Sequence, residues 1–123
     1  MSKHILIVED NEDLLSLYRD LLEPEGYKLS ALPGSDNIVS HVSKLQPDVV
    51  LLDFLIAGIN GGELCSQIKK NKSTAHIPVV MISAYPKLVN SLGHYGWDDF
   101  ITKPFNVEEF QRVIGKYSCD PVS

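Results

Sequence analysis

The sequence predicts an α/β protein with a doubly wound, parallel five-stranded sheet, and two observations support this prediction. Uncharged runs such as Ile5-Leu6-Ile7-Val8 and Val49-Val50-Leu51-Leu52 show no polar alternation, which is typical of strands covered on both faces. Each run is followed by a segment in which apolar residues recur with the helical period. Strands and helices therefore alternate five times along the chain, the pattern of a parallel sheet with helices on both faces.

The predicted strands share a short apolar run that ends at a turn signal or a charge. They are His4 to Val8, Tyr27 to Ala31, Val49 to Asp53, Val79 to Ile82 and Asp99 to Thr102. The second of these is less apolar than the others, so we expect it at an edge of the sheet.

The predicted helices are bounded by capping residues and helix breakers. Asn11 to Leu22 forms the first, with Tyr18 on its apolar stripe, and Ser35 is expected to cap the second, which contains Ile38. A loop that carries Gly58, Gly61 and Gly62 is expected after the third strand, and the third helix runs from about Gly62 to Asn71. A fourth, between Tyr85 and Trp97, is expected to be short and irregular because Pro86, Gly93 and Gly96 interrupt it. Asn106, with Glu109 three residues later, is typical of the start of the last helix.

Right-handed crossovers between these strands favour a flavodoxin-like strand order, 2-1-3-4-5. In that order the first and third strands are neighbours at the point where the order reverses. Glu9 and Asp10 follow the first strand, Asp53 ends the third, and Lys103 follows the fifth. We therefore expect these four charged side chains to meet at the carboxyl edge of the sheet, where open α/β sheets bind ligands.

Three carboxylates so close together repel one another by about 4 kcal/mol per pair at 4 Å and an effective dielectric constant of 20. A divalent cation would offset this repulsion. Mg²⁺ suits the cluster of Glu9, Asp10 and Asp53 because it takes one or two direct carboxylates and completes its shell with water or phosphate oxygens. Asp53 can then act as a nucleophile toward phosphorus, with Lys103 stabilising the charge that develops. The hydroxyl of Ser83, at the end of the fourth strand, reaches the same edge.

The amino-acid composition and net charge of the chain exclude or disfavour several classes of protein. The chain has 123 residues, enough for a single domain over 1–123, with 44% hydrophobic and 22% charged residues, as in ordinary globular proteins. No apolar run is long enough for membrane insertion or for a secretory signal, so we expect a cytoplasmic protein. The net charge of −5 disfavours direct binding to nucleic acid. Cys65 and Cys119 have no metal-ligand spacing and are expected to be reduced thiols.

At this point a family resemblance becomes visible over about residues 3–117, which leaves a short tail over 118–123. The motifs that carry it are Glu9-Asp10, Asp53, Ser83-Ala84, Phe100 and Lys103-Pro104-Phe105. Each motif is weak alone, but the set, in this order and at successive strand ends, resembles that of the CheY-like response regulator receiver domain of two-component systems.

The resemblance implies that Asp53 accepts a phosphoryl group, with Mg²⁺ as cofactor, from a histidine kinase or a histidine phosphotransfer protein. It also implies a conformational switch in which Ser83 is drawn to the phosphate and Phe100 turns inward, and a cis peptide between Lys103 and Pro104. Such a domain is a phosphoacceptor that controls a downstream protein, not an enzyme with its own substrate. Whether phosphorylation promotes a homodimer stays open. The alternative function is a receiver-like interaction module that works without phosphorylation.

Several features depart from the family pattern, among them Ala57 where a proline is usual and Asn60 where an aspartate is common. Leu55, two residues after the acceptor, is apolar, which predicts slow autodephosphorylation because it hinders the attacking water. The segment from Ser83 to Lys103 is slightly shorter than is usual in the family. Trp97 stands where a small residue is expected, so its ring must pack beside the fifth strand or lie exposed.

Overall fold

The computed structural model describes residues 3–32, 37–53, 55–56, 59–84 and 96–118. The strands, in chain order, are β1 (His4–Val8), β2 (Lys28–Leu32), β3 (Val49–Asp53), β4 (Leu55–Ile56), β5 (Ile59–Asn60), β6 (Val79–Ser83) and β7 (Asp99–Thr102). The helices found in those ranges are α1 (Glu12–Leu22), α2 (Ile38–Leu45), α3 (Gly61–Lys70) and α4 (Val107–Ser118).

Five of these strands form one sheet in the order β2-β1-β3-β6-β7, and every neighbouring pair in it is parallel. Since β6 and β7 are the fourth and fifth predicted strands, the predicted order 2-1-3-4-5 is confirmed. The less apolar β2 lies at an edge, also as predicted. The remaining two strands, β4 and β5, pair antiparallel with each other in a region that the sequence predicted as a loop.

Apolar residues from alternate positions of the strands pack into two separate layers, one on each face of the sheet. One layer joins Leu6 and Val8 of β1 to residues of α2 and α3. The other joins Ile5 and Ile7 of the same strand to residues of α1 and α4, including Tyr18. This alternation explains why the strands read as uninterrupted apolar runs, because both faces of each central strand are buried.

Asparagine side chains cap three of the helices. Asn11 accepts a hydrogen bond from the Leu14 amide at 3.0 Å, and Asn106 accepts one from the Glu108 amide at 2.8 Å. The second helix differs from the prediction, since Asn37 is its N-cap and accepts from the Ser40 amide at 3.4 Å. Asparagine and serine are equally good caps, so composition alone did not distinguish Asn37 from Ser35, which lies outside the described residues.

The region before β7 is described only from residue 96 onward, so the predicted short fourth helix lies outside the described residues. Trp97 does not lie exposed: its half-buried ring packs against the α2 and α3 layer and lies 5.6 Å from the Phe100 ring. The carboxylate of the next residue, Asp98, accepts from the Val79 amide at 2.8 Å and pairs with the Lys69 ammonium at 2.6 Å. Trp97 is therefore a packed part of the approach to β7.

The sequence also predicts the conformation of one peptide bond and the state of the two cysteine thiols. The peptide between Lys103 and Pro104 is cis, as predicted. Cys65 is a free thiol buried in the α2 and α3 layer, while Cys119 lies outside the described residues. No helix in the described part of the chain is long and apolar enough to cross a membrane.

Candidate functional site

The strand register brings Glu9 and Asp53 together. Val8 pairs with Leu52 across the β1–β3 ladder, so the next residue of each strand, Glu9 and Asp53, lies at the same level of the sheet edge. Glu9 is 2% and Asp53 7% exposed. Two carboxyl groups are thus buried beside each other at the ends of neighbouring parallel strands.

The same register adds Ser83 and Lys103 to this edge. Asp53 pairs with Ile82 of β6, which places Ser83 one residue beyond the aspartate. Ser83 in turn pairs with Thr102 of β7, and the amide of Lys103 donates to the Ser83 carbonyl at 2.8 Å. The carboxyl ends of four strands therefore deliver the two acids, the hydroxyl and the ammonium to one place.

These side chains surround an open cleft of about 230 Å³. Its lining consists of Glu9, Asp10, Asn11, Leu14, Asp53, Ser83, Ala84 and Lys103. Asn11 and Leu14 were not predicted as site residues. The sequence did contain a signal for this part of the cleft. Asn11 caps the helix that follows β1, so the start of that helix lies at the edge of the sheet where β1 ends. The cleft joins the carboxyl edge of the sheet to the N-terminus of α1.

Lys103 is the cation of the cleft. Its ammonium group donates to Asp53 Oδ2 in a close ion pair and lies 4.0 Å from Glu9 Oε1. The lysine side chain is only 20% exposed, so this attraction is less screened by water than that of a surface pair. One ammonium thus faces both buried carboxyl groups.

Glu9 has the least favourable electrostatic environment of the charged side chains in the cleft. Its Oε2 accepts from the amides of Asp10 and Asn11 at 3.1 and 3.3 Å, whereas its Oε1 is buried and accepts no hydrogen bond from the described residues. Burial, followed by the neighbouring Asp53 carboxylate, raises the pKa of Glu9 from 4.5 to about 8. A carboxyl group in such a cleft whose pKa is so far from its ordinary value is typical of a functional site.

The donor set fits a hard divalent cation. Across the described residues no three His, Cys, Asp or Glu side chains converge into a ready-made metal cage, and Asp10 stands exposed at the mouth of the cleft. Mg²⁺ does not need such a cage, because one or two direct carboxylates and several waters satisfy it. Glu9 Oε1 is buried and accepts no hydrogen bond from the described residues, so this oxygen could contact a cation held in the cleft.

Phe100 is the one predicted site residue that does not border the cleft. Its half-buried ring packs on the opposite face of the sheet, against the α2 and α3 layer and Trp97. Ser83 is buried at the rim of the cleft, on the neighbouring strand β6. The structure therefore brings Glu9, Asp10, Asp53, Ser83 and Lys103 together and places Phe100 apart from them.

Comparison with known proteins gives consistent matches. The sequence model of a family described as response regulator receiver domain matches residues 5–115. The polar-differentiation response regulator DivK of Brucella ovis is 30% identical over 122 residues, which cover 98% of this chain and 99% of the relative. The phosphate regulon transcriptional regulatory protein PhoB of Rhizobium meliloti is 32% identical over 117 residues, or 93% of this chain and 51% of that protein.

Solved structures show the same fold. The receiver domain of the sensor histidine kinase PA1611 from Pseudomonas aeruginosa superposes with a TM-score of 0.85 at 21% sequence identity, covering 95% of this chain and 98% of that one. That structure is described with a magnesium ion coordinated in its active-site cleft. At this level of identity the likeness establishes the architecture, and the sequence matches establish the relationship.

The raised pKa of Glu9 predicts a pH dependence of stability. The folded, metal-free protein keeps a proton on Glu9 up to about pH 8, whereas the unfolded chain releases it near pH 4.5. The stabilisation by this proton is therefore complete below pH 4.5 and is lost as the pH rises through 8. Since glutamine stays neutral, the free energy of unfolding of Glu9→Gln, minus that of the parent, should increase between pH 4.5 and 8 and then level off.

Urea denaturation of both proteins in the presence of a chelator, at intervals of one pH unit, measures this difference. Titrating groups that do not interact with Glu9 are common to both proteins and cancel. A difference that does not change with pH would show that Glu9 ionises in the folded state as readily as in the unfolded chain.

Proposed function

Because the chain belongs to the response regulator receiver domain family of two-component signalling, we propose that Asp53 is its phosphoacceptor and that the reaction depends on Mg²⁺. Receiver domains work with histidine kinases and downstream targets, so the proposed donor is the phosphohistidine of a kinase or of a phosphotransfer protein. The observation that carries the proposal is the placement of Asp53, buried at the floor of an open cleft and paired with Lys103.

The proposed step is a displacement at phosphorus. A carboxylate oxygen of Asp53 attacks the phosphorus atom, the new O–P bond forms as the P–N bond to the histidine breaks, and the imidazole nitrogen keeps the electron pair and takes a proton from water. The Asp53 side chain is 8% exposed, just enough for its oxygen to meet an incoming group at the cleft. Lys103 then transfers its hydrogen bonds from the free carboxylate to the phosphoryl oxygens.

We propose that Glu9, Asp10 and Asp53 hold Mg²⁺. When bound, the ion would neutralise the carboxylates and the charge that develops on the phosphoryl oxygens. The residues themselves support this role, since Asp10 lies at the open mouth, where hydrated ions arrive, and Glu9 Oε1 is buried without a hydrogen-bond donor. Ionisation of Glu9 is costly without added positive charge, and this cost links metal binding to loss of its proton.

The proposed signal leaves the cleft through Ser83 and Phe100. Ser83 lines the cleft at the end of β6, and its hydroxyl is proposed to donate to a phosphoryl oxygen on Asp53. Phe100 sits on the neighbouring strand β7, paired in register with Met81, two residues before Ser83. A shift of Ser83 toward the phosphate would therefore disturb the packing of Phe100 and Trp97 on the far face of the sheet.

We also propose the extent of the domain, its location in the cell and the kind of partner that it controls. Residues 1–123 are proposed to act as one domain, since the family match reaches from residue 5 to 115. The proposed site of action is the cytoplasm, and the proposed output is a protein partner rather than nucleic acid, in line with the net charge of −5.

The phosphoacceptor assignment is tested by incubating the protein with acetyl phosphate and Mg²⁺ and measuring its intact mass. The parent chain is expected to gain one phosphoryl group, and Asp53→Asn is expected to gain none, because an amide is not a nucleophile toward phosphorus at neutral pH. Removal of Mg²⁺ with a chelator is expected to abolish labelling of the parent.

Asp48→Asn is the matched control. Asp48 lies at the opposite edge of the sheet, where its carboxylate accepts from the His4 amide at 2.7 Å, so this variant should label like the parent. Labelling of Asp53→Asn equal to that of the parent would contradict the assignment. Absence of labelling in the parent would favour an interaction module that works without phosphorylation.

Slow loss of the phosphoryl group is a further proposal, which comes from the apolar residue at position 55. Replacing Leu55 by asparagine is expected to shorten the phosphorylated lifetime at least severalfold, because a polar side chain can orient the attacking water. Leu55→Ala is the control that removes bulk without adding a polar group. The decay of phosphorylated protein, followed by mass spectrometry, measures all three lifetimes. A Leu55→Asn lifetime as long as that of the parent would contradict the proposal.

A further inference from the structure

Trp97 is the only tryptophan of the chain, and its ring borders the residue through which the proposed signal passes. The ring lies 5.6 Å from that of Phe100, with an angle of 56° between the two planes, and both side chains are half-buried against the α2 and α3 layer. Aromatic rings at such a distance attract each other beyond the effect of burial. Phe100 therefore cannot leave its position without losing its contact with Trp97.

The residues on either side of Trp97 are anchored. The amide of Asp98 donates to the Val79 carbonyl at 2.8 Å, and the Asp98 carboxylate accepts from the Val79 amide, also at 2.8 Å. On the other side, Gly96 has a φ of +93°, and a Cβ atom there would lie 3.3 Å from Cγ of Lys69. A positive φ suits glycine, and it lets the chain pass directly over the stem of Lys69.

Lys69, near the end of α3, clamps this segment. Its ammonium group pairs with the Asp98 carboxylate at 2.6 Å and donates to the carbonyls of Ile77 and Ala75 at 2.8 and 3.3 Å. An ammonium group has three donors, and these three acceptors match them. The lysine side chain is only 17% exposed, so water screens this pair less than a fully exposed one. The clamp lies where β6 and β7 begin, at the edge of the sheet opposite the cleft.

We propose that Trp97, held in place by Lys69, is an autoinhibitory contact that keeps Phe100 in the position it has before phosphorylation. A contact that is made in only one of two states opposes whatever favours the other state. The contact with Trp97 therefore opposes phosphorylation to the extent that phosphorylation moves Phe100. This inference rests on the proposed function, since it concerns the regulation of Asp53.

Two variants weaken the contact from different sides. Trp97→Leu keeps an apolar side chain on the α2 and α3 layer and removes the ring, whereas Lys69→Met keeps the stem of the lysine and removes its charge. At low concentrations of acetyl phosphate with Mg²⁺, Trp97→Leu is expected to be labelled about threefold to tenfold faster than the parent, the factor that corresponds to one aromatic pair. The rate rises because it follows the fraction of molecules in which Phe100 is released.

Lys69→Met is expected to be labelled faster than the parent, by no more than Trp97→Leu. Intact mass against time measures these rates, and urea denaturation establishes that each variant is folded. Since the chain has one tryptophan, its fluorescence reports on the clamp, and acrylamide should quench Lys69→Met more strongly than the parent. Lys70→Met is the matched control, because Lys70 is the exposed last residue of α3, and it should equal the parent in both measurements.

A chain that carries Phe100→Leu separates this role from a purely structural one. Adding Trp97→Leu to that chain is expected to leave its labelling rate unchanged, because the contact is already absent.

Trp97→Leu labelled at the rate of the parent would overturn the inference and leave the phosphoacceptor assignment intact. The same holds if Trp97→Leu accelerates labelling equally with and without Phe100, or if acrylamide quenches Lys69→Met no more than the parent. A parent that takes no phosphoryl group would overturn both the assignment and the inference.

Discussion

The ion pair between Lys103 and Asp53 lies where four parallel strands end, and the rest of the cleft is arranged around it. Glu9 and Asp53 are buried side by side because β1 and β3 pair in parallel register up to Val8 and Leu52. Two such carboxylates repel each other by about 4 kcal/mol at 4 Å and an effective dielectric constant of 20. A single ammonium group offsets part of this repulsion, and burial, followed by the effect of Asp53, raises the pKa of Glu9.

Two buried acids face one ammonium group, and this excess of acidic groups suits the cleft to the proposed binding of a cation. Breaking a buried ion pair by removing one partner costs about 3–5 kcal/mol, so the buried Asp53 carboxylate depends on its ion pair with Lys103. Glu9 is not compensated in this way, because burial raises the pKa of its carboxyl group and makes its ionisation costly. The two apolar layers hold the strand ends rigidly, which keeps the acids together despite their repulsion. The packed core therefore holds an electrostatically unfavourable pair of acids at the edge of the sheet.

Most of the fold followed from the sequence for a simple reason. Runs such as Val49 to Leu52, bounded by turn signals and alternating with helical segments, are typical of the central strands of a parallel sheet, and their ends then define the cleft. Local choices between equivalent residues were less predictable. Asn37 rather than Ser35 caps α2, and β4 and β5 pair where glycines had indicated a plain loop.

The candidate site, like the fold, was predicted only in part from the sequence pattern. The sequence placed Glu9, Asp10, Asp53, Ser83 and Lys103 at one edge because each follows or ends a strand. It did not distinguish the buried Glu9 from the exposed Asp10, since that depends on the direction of two adjacent side chains. The sequence also put Tyr18 on an apolar stripe without revealing that its ring meets Phe105, because no short-range pattern encodes a contact between residues so far apart in the chain.

The central claim is that the phosphoryl group resides on the carboxylate of Asp53, and chemical trapping tests it most directly. Sodium borohydride reduces an acyl phosphate to an alcohol, so an aspartyl phosphate becomes homoserine. After labelling with acetyl phosphate and Mg²⁺, reduction and proteolysis, the account predicts homoserine at position 53 in the peptide map and aspartate at that position in unlabelled protein. Homoserine at another position, or labelled protein in which Asp53 is unmodified, would contradict it.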